Sequence, residues 1–429
     1  MIKRREVLSV KKSRRELFDF IAIQTSNGSM RGKQRLLQHH IHSQTGFDFT
    51  FLYDYPHLCA HDKRVIQNGN TMRRKPLGIT HRRSTHFSLF VFSDLPMMMH
   101  QFPRLACVLL LLSTGACATR AQRTQTLQVM SYNVENLFDT NDDPHTDDNE
   151  FLPDGDRHWT LWRYHNHLQQ TARVILAAGR WEAPALVGLC EVENDSVLTH
   201  LLRRTPLRRE DYRYCITRGN DPRGINNALL YRRDRFRLLG WRSVRIAFTE
   251  RTKRSRDLLY AWGRIASGDT VDVIVCHFSS RRSGKKASER ARMDAANCVR
   301  RLCDSLYRVR RRPNLIVMGD FNDTPSDRSI RLMADAPESH LRLINLFGDP
   351  RQTGFEGSHY YRGKWTQLDQ MLVSPLLADR LTEAQVFAPD FLLTEDGRRR
   401  SRRPLRVYHG FRYEGGFSDH LPIVAEFRW

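Results

Sequence analysis

Leu315-Ile316-Val317-Met318-Gly319-Asp320-Phe321-Asn322-Asp323-Thr324-Pro325 is the stretch whose reading decides the fold. Its first four residues are uninterruptedly apolar, the pattern of a strand covered on both faces, and Gly319 then permits a close backbone approach that a side chain would obstruct. Asp320 and Asn322 stand two residues apart at the exit. An extended backbone would carry both to one side, one as acceptor or base and the other as a neutral amide. The same pair also suits an Asx turn with no chemistry attached.

Elsewhere in the chain the device recurs. Apolar runs beginning at Leu127, Pro184 and Val271 end on Asn133, Glu191 and His277, and the turn before the last strand carries Asp419 and His420. Taken singly, each has a structural explanation. A histidine at a strand exit more often satisfies a local hydrogen bond than catalyses, but Glu191 inside an apolar run is costly unless paired or metal-bound. Taken together, the strand ends assemble carboxylates and amide oxygens, which suit a hard cation such as Mg²⁺ or Mn²⁺, and no cysteine or histidine spacing suits zinc. Such a site neutralises phosphate oxygens, and carboxylate and imidazole groups supply acid–base chemistry.

The ordered set Tyr132-Asn133, Leu189-Cys190-Glu191, Cys276-His277, Gly319-Asp320-Phe321-Asn322, Leu368-Asp369 and Ser418-Asp419-His420 resembles the endonuclease/exonuclease/phosphatase superfamily, over nearly all of residues 127 to 429. That superfamily includes pancreatic-type deoxyribonucleases, abasic-site endonucleases, sphingomyelinases and inositol-polyphosphate phosphatases. The resemblance implies a four-layered α/β sandwich, two mixed β-sheets packed face to face with helices outside. It implies Glu191 as principal metal ligand, with Asn133 and Asp419 assisting. Asp320 would orient or activate water, and Asn322 would hold that water or the phosphate. His420 would act on the phosphoryl group, oriented by Asp369, and His277 would be the second histidine, for which the sequence offers no orienting carboxylate. Ser280 and Arg281 follow His277 closely enough for phosphate contact.

The implied activity is divalent-metal-dependent phosphodiester hydrolysis, with DNA or RNA as substrate. One alternative is a phosphatase or sphingomyelinase-like phospholipid hydrolase, which would require an apolar loop to meet the membrane; the sequence offers no aromatic-rich hairpin of that kind. Another is a binding protein that kept the fold without the chemistry. No protein partner is implied, and a monomer is expected.

Two further segments read as helices, 162–178 and 287–309, the second with arginine-rich faces taken as solvated. Asp139 to Asp156 holds eight acidic residues. It reads as a solvated loop in preference to a calcium site, because the EF-hand spacing is absent. The run Arg398 to Arg403 reads as an exposed loop, with phosphate contact as the secondary reading.

The 429 residues carry a formal charge of +22, but residues 1–96 hold 17 Lys plus Arg against 7 Asp plus Glu, a net +10. The rest is only moderately basic, which fits an acidic substrate without requiring one. Residues 1–96 lack a sustained apolar period and read as a basic segment that is disordered or not translated in the native protein. Residues 97–118 then have the form of a secretory signal peptide: Arg104, the apolar run Leu105 to Leu112, and Ala116-Cys117-Ala118. The run is short of the roughly 20 residues a membrane span needs. Translation is therefore expected to start at Met97, Met98 or Met99, giving an exported protein: periplasmic, outer-membrane-associated or extracellular. Gly115-Ala116-Cys117 also resembles a lipobox, so membrane anchoring through a lipidated Cys117 is the lesser reading. Residues 119–429 read as one catalytic domain. Their five cysteines, an odd number, are read as buried free thiols.

Overall fold

The computed structural model describes residues 125–335, 342–397 and 401–429. The basic leader, the signal-like segment with Cys117, and residues 398–400 lie outside the described residues.

Strands β1 (Thr126–Leu137), β2 (Leu186–Val192), β3 (Tyr212–Ile216), β4 (Asn226–Arg232), β13 (Leu381–Val386) and β18 (Ile423–Arg428) form one six-stranded sheet in the order β13-β18-β1-β2-β4-β3. Strands β5 (Phe236–Val244), β6 (Leu258–Ile265), β7 (Thr270–His277), β8 (Asn314–Asp320), β9 (Ile344–Asn345) and β12 (Asp369–Val373) form a second, ordered β5-β6-β7-β8-β12-β9. Three two-stranded ladders flank them: β10 (His359–Tyr361) with β11 (Lys364–Thr366), β14 (Leu393–Glu395) with β15 (Arg402–Pro404), and β16 (Tyr408–His409) with β17 (Arg412–Tyr413).

Each large sheet contains one parallel pair, β1–β2 and β7–β8, among otherwise antiparallel neighbours. A parallel pair needs a long crossover. Helix α1 (Leu161–Ala178) supplies the first and helix α3 (Lys285–Arg310) the second; α2 (Asp195–Arg204) follows β2. Thr160 caps α1, its side chain accepting from the Arg163 amide.

Alternation along the strands builds the layers. Val271, Val273 and Val275 of β7, with Ile316 and Met318 of β8, enter the core between the sheets. Ile274, Cys276, Leu315 and Val317 face the other way, onto Val299, Leu302, Cys303 and Leu306 of α3. The sheets meet closely where β2 crosses β8: a methyl group at Gly188 would lie 2.7 Å from Met318 Cε and 3.2 Å from Val275 Cγ2. This two-sheet α/β architecture is the one the sequence implies.

Two sequence expectations need correction. The arginines of α3 are not all solvated. Arg292 is fully buried, its Nε 2.8 Å from Asp323 Oδ1. Arg310 reaches the buried Asp272 at 2.7 Å, and Arg300 is buried beside Asp304. The partners of Arg292 and Arg310, in the turn after β8 and on β7, are distant in sequence, so helical periodicity does not reveal them. The acidic loop is likewise only partly solvated. Asp142, Asp147, Asp154 and Asp156 are exposed, but Asp139 and Asp148 are buried. Asp139 Oδ1 accepts from the Asn141 amide at 2.7 Å, and Asp148 Oδ2 from the Asp143 amide at 3.1 Å. In the arginine run, Arg402 pairs with Asp390 and Arg403 with Glu414, each at 2.8 Å.

Breaking a buried ion pair by removing one partner strands the other charge, at a cost of about 3–5 kcal/mol. Arg292→Met is therefore expected to lower the unfolding free energy in urea by that amount, whereas Arg290→Ala, at an exposed position on the same helix, should shift it by about 0.5 kcal/mol or less. Equal, small effects would contradict the tethering role of Arg292.

Candidate active site

The parallel pairs fix where the polar residues meet. β1, β2, β7 and β8 all deliver their carboxyl ends to one edge of the sandwich, and β12 and β18, antiparallel to them, begin there: Asp369 pairs with Asp320, and Ile423 with Ser131. Six strands thus converge on Asp320. Its Oδ2 accepts from Asn133 Nδ2 at 3.2 Å and Asn322 Nδ2 at 3.1 Å, and lies 3.5 Å from His277 Nε2 and 3.8 Å from His420 Nε2. Glu191 Oε1 is 3.7 Å from His277 Nε2. His420 Nδ1 is 2.7 Å from Asp369 Oδ2. Asp419 stands at the rim with Arg406 at 3.7 Å.

The backbone is strained to make this arrangement. Glu135, Asn136, Glu191 and Asn322 adopt φ of 54°, 58°, 66° and 49°, a left-handed region uncommon for side-chain-bearing residues and frequent at functional sites. Local hydrogen bonds hold them: the Asn136 amide donates to Glu191 Oε2 at 3.0 Å, and the Asn322 amide to Asp320 Oδ1 at 2.8 Å. The Asx turn and the site pairing at Asp320–Asn322 are therefore the same structure.

The electrostatics separate the two imidazoles. Burial pushes Asp320 up, Asp369 and Glu191 add to this and His420 opposes it, leaving the carboxyl at about 7. Burial alone would depress His420, but Asp369 and Asp320 hold it well above the usual imidazole range. Burial, then Arg256, Arg223 and His420, push His277 well below it. The surroundings thus push the two imidazoles in opposite directions, a division characteristic of acid–base pairs. Asp419 is held low by His420 and Arg406 against its own burial.

The donor set fits a hard divalent cation. Glu191 and Asp320 face each other across His277 with no lysine or arginine paired to either among the described residues, and Asn133 lies against Asp320. Oxygen donors of this kind suit Mg²⁺ or Mn²⁺. The more compact trio Asp320, Asp369 and His420 is less suited, because the His420–Asp369 contact engages the ring nitrogen and the carboxylate with each other.

Ser280 and Arg281 are not brought into this cluster. Arg281 binds the Asn322 carbonyl, Asp323 at 3.0 Å and Asp327 at 2.7 Å, bracing the turn after β8. Ser280 is exposed and accepts from the Arg282 amide. Other residues join the site unforeseen. His359 sits 4.7 Å from His420, ring centre to ring centre, and forms a β-bridge with it. Ser418 Oγ donates to the Asn133 carbonyl at 2.7 Å and accepts from the His420 amide at 3.0 Å, joining β1 to the His420 turn. Ser358 Oγ receives the Asp369 amide at 3.1 Å. Arg256, in a buried pair with Asp221, donates to the carbonyls of His277 and Phe278. No carboxylate meets His277 Nδ1, which has no partner among the described residues.

Residues 128–428 match the model of the endonuclease/exonuclease/phosphatase family. The chain belongs to that family. Members of the endonuclease/exonuclease/phosphatase family are phosphoesterases and nucleases. Among solved structures the chain is similar to a family protein from Bacteroides thetaiotaomicron, at 16% identity and TM-score 0.48, over 72% of this chain and 96% of that one. It is similar to a mannosyl-6-phosphatase of the same organism, at 17% identity and TM-score 0.46, over 70% and 98%. It is also similar to the human nocturnin catalytic domain with bound sulfate, at 17% identity and TM-score 0.45, over 71% and 97%. No curated protein matches it.

If Asp369 is what keeps His420 protonated, Asp369→Asn should lower the imidazole pKa of His420, read by NMR titration of the ring nitrogens, while His277 stays neutral. A His420 titration unchanged by Asp369→Asn would contradict this electrostatic account.

Proposed function

We propose that the chain is a divalent-metal-dependent phosphodiester hydrolase acting on DNA or RNA, working as an exported monomer. The observation that carries the reading is geometric: the buried Asp320 Oδ2 has His277 Nε2 at 3.5 Å and His420 Nε2 at 3.8 Å, with Glu191 Oε1 3.7 Å from His277 Nε2. Two imidazoles beside a buried carboxylate, pushed by their surroundings in opposite directions, suit a reaction in which water loses a proton and a phosphoryl oxygen gains negative charge.

Glu191 would be the principal ligand for Mg²⁺ or Mn²⁺, with Asn133 and Asp419 assisting, and the cation would supply charge neutralisation at the phosphate. Asp320, buried with Asn133 Nδ2 at 3.2 Å and His277 Nε2 at 3.5 Å from its Oδ2, orients the attacking water and takes up its proton. Asn322, fixed by the Phe278 carbonyl at 3.2 Å, holds the water or a phosphate oxygen in line. His420, kept cationic by Asp369, donates to the phosphoryl group. His277 Nε2 lies within reach of both Asp320 and Glu191 and positions the phosphate as a neutral donor.

One feature favours phospholipid as a second substrate class. Phe411 stands 68% exposed at the turn joining β16 and β17, shortly before His420. That hairpin also carries Tyr408 and Tyr413, whose rings meet at 5.4 Å, so it is the aromatic-rich hairpin that sequence reading does not find. Export rests on the signal-like residues 97–118, with Cys117 as the lesser, lipidated terminus.

The purified chain assayed on plasmid DNA, RNA, sphingomyelin vesicles and a small phosphomonoester separates the readings. Cleavage of nucleic acid is expected with Mg²⁺ or Mn²⁺ and none with a chelator. Asp320→Ala and His420→Ala should each lose on the order of 10²-fold or more in kcat, the scale of a lost general acid or base. Turnover of sphingomyelin alone would move the assignment to phospholipid, and no turnover of any substrate would favour a binding protein. Peptides from residues 1 to 90 in the native protein would contradict a start at Met97 to Met99.

A further inference from the structure

The strands β10 and β11 form a hairpin whose two faces differ. Across its register, His359 opposes Thr366, Tyr360 opposes Trp365 and Tyr361 opposes Lys364. Alternation therefore sorts Tyr360 and Trp365 to one face and His359, Tyr361, Lys364 and Thr366 to the other. The first face is anchored. Tyr360 and Trp365 rings meet at 5.2 Å, Trp365 packs on Phe355 at 4.9 Å, and the Tyr360 hydroxyl bonds Asp396 at 2.9 Å and Ser401 at 2.6 Å.

The second face is open and continuous with the site. His359 packs on the His420 ring and bridges its backbone. Tyr361 follows on the same face, 60% exposed, with Lys364 exposed beside it. The turn is built to present this end: Arg362 and Gly363 have φ of 49° and 86°, the pattern of a two-residue hairpin turn, and the Arg362 guanidinium lies 5.2 Å from the Tyr361 ring centre. At roughly 3.3 Å of rise per strand residue, the Tyr361 backbone stands about 7 Å along the strand from the histidine that touches His420.

We propose that this face is a nucleotide subsite: Tyr361 stacks the base next to the scissile phosphate, and Lys364 with Arg362 neutralises the following phosphate of a single strand. The inference rests on the nucleic-acid reading above and adds to it the residues that grip the polymer. Aromatic rings interleaved with cations are how single strands are held without sequence preference, since every base has a face to stack. The occupant is set by charge and shape: the face offers one exposed ring and two cations and no exposed aliphatic side chain. Tyr361 and Lys364 lie outside the catalytic cluster, so they act on binding and leave the chemistry at Asp320 intact.

The test compares a fluorescein-labelled single-stranded oligonucleotide with bis(p-nitrophenyl) phosphate, which has no second phosphate or base, both with Mg²⁺ or Mn²⁺. Tyr361→Ala should raise KM for the oligonucleotide by roughly 5- to 100-fold, the range for one lost stacking contact, with kcat and both constants for the aryl diester unchanged. Tyr361→Phe should behave as wild type. Lys364→Ala should weaken oligonucleotide binding and flatten its salt dependence by about one phosphate contact. If wild type cuts the oligonucleotide and Tyr361→Ala and Lys364→Ala cut it equally well, the subsite is overturned while the nuclease reading stands. Equal losses on both substrates also overturn it. A wild type that hydrolyses the aryl diester but neither cuts nor binds the oligonucleotide overturns the subsite and the nucleic-acid reading together.

Discussion

At Gly319 the chain of β8 runs so close to β7 that an added methyl carbon would fall 1.8 Å from the Cys276 carbonyl oxygen. With φ at 143°, the backbone there is also one that glycine adopts far more readily than other residues. The close approach lies one step before the exits of the parallel pair, where His277 and Asp320 are in register. Everything else in the cluster is measured from that pair. Asn133 and Glu191 arrive from the facing sheet, and the close crossing at Gly188 brings that sheet within reach.

The same burial that shapes the site tunes it. Asp320, His277 and His420 are nearly sealed from water, so each responds to its neighbours far more strongly than a surface group would. His420 has two carboxylates within 4 Å, which raise it against its burial; burial, then Arg256 and Arg223, lower His277. The structure surrounding them is correspondingly well fastened. Arg292 and Arg281 hold Asp323 beneath the Asp320 turn, and Ser418 ties the His420 turn to β1.

Much of this is legible in the sequence because strands ending abruptly in polar residues leave a mark. Leu315 to Met318 before Asp320, and Val271 to Cys276 before His277, show both the element and its exit. Glu191 shows for the same reason, whereas Asp369 and His420, which stand at or before the start of strands, were singled out as site residues by the family resemblance. Charge partners were not. Arg292 looks like any solvated helical arginine until its distance to Asp323 is known, and Arg281 looks like a phosphate ligand until Asp323 and Asp327 are found to occupy it. His359 escaped because a three-residue strand carries too little periodicity to mark its faces, and the neighbour that gives it meaning, His420, lies far along the chain. The acidic loop misled differently: composition reports that Asp139 and Asp148 are charged, but not that the loop folds back over them.

The central claim is that strand ends from two sheets join to hold one divalent cation against Asp320. Isothermal titration of Mn²⁺ into the purified chain tests it most directly. One saturable site per chain is expected in the wild type, abolished or severely weakened by Glu191→Gln while the variant keeps its unfolding temperature. Binding of equal strength in Glu191→Gln, or no saturable site in the wild type, would contradict the account.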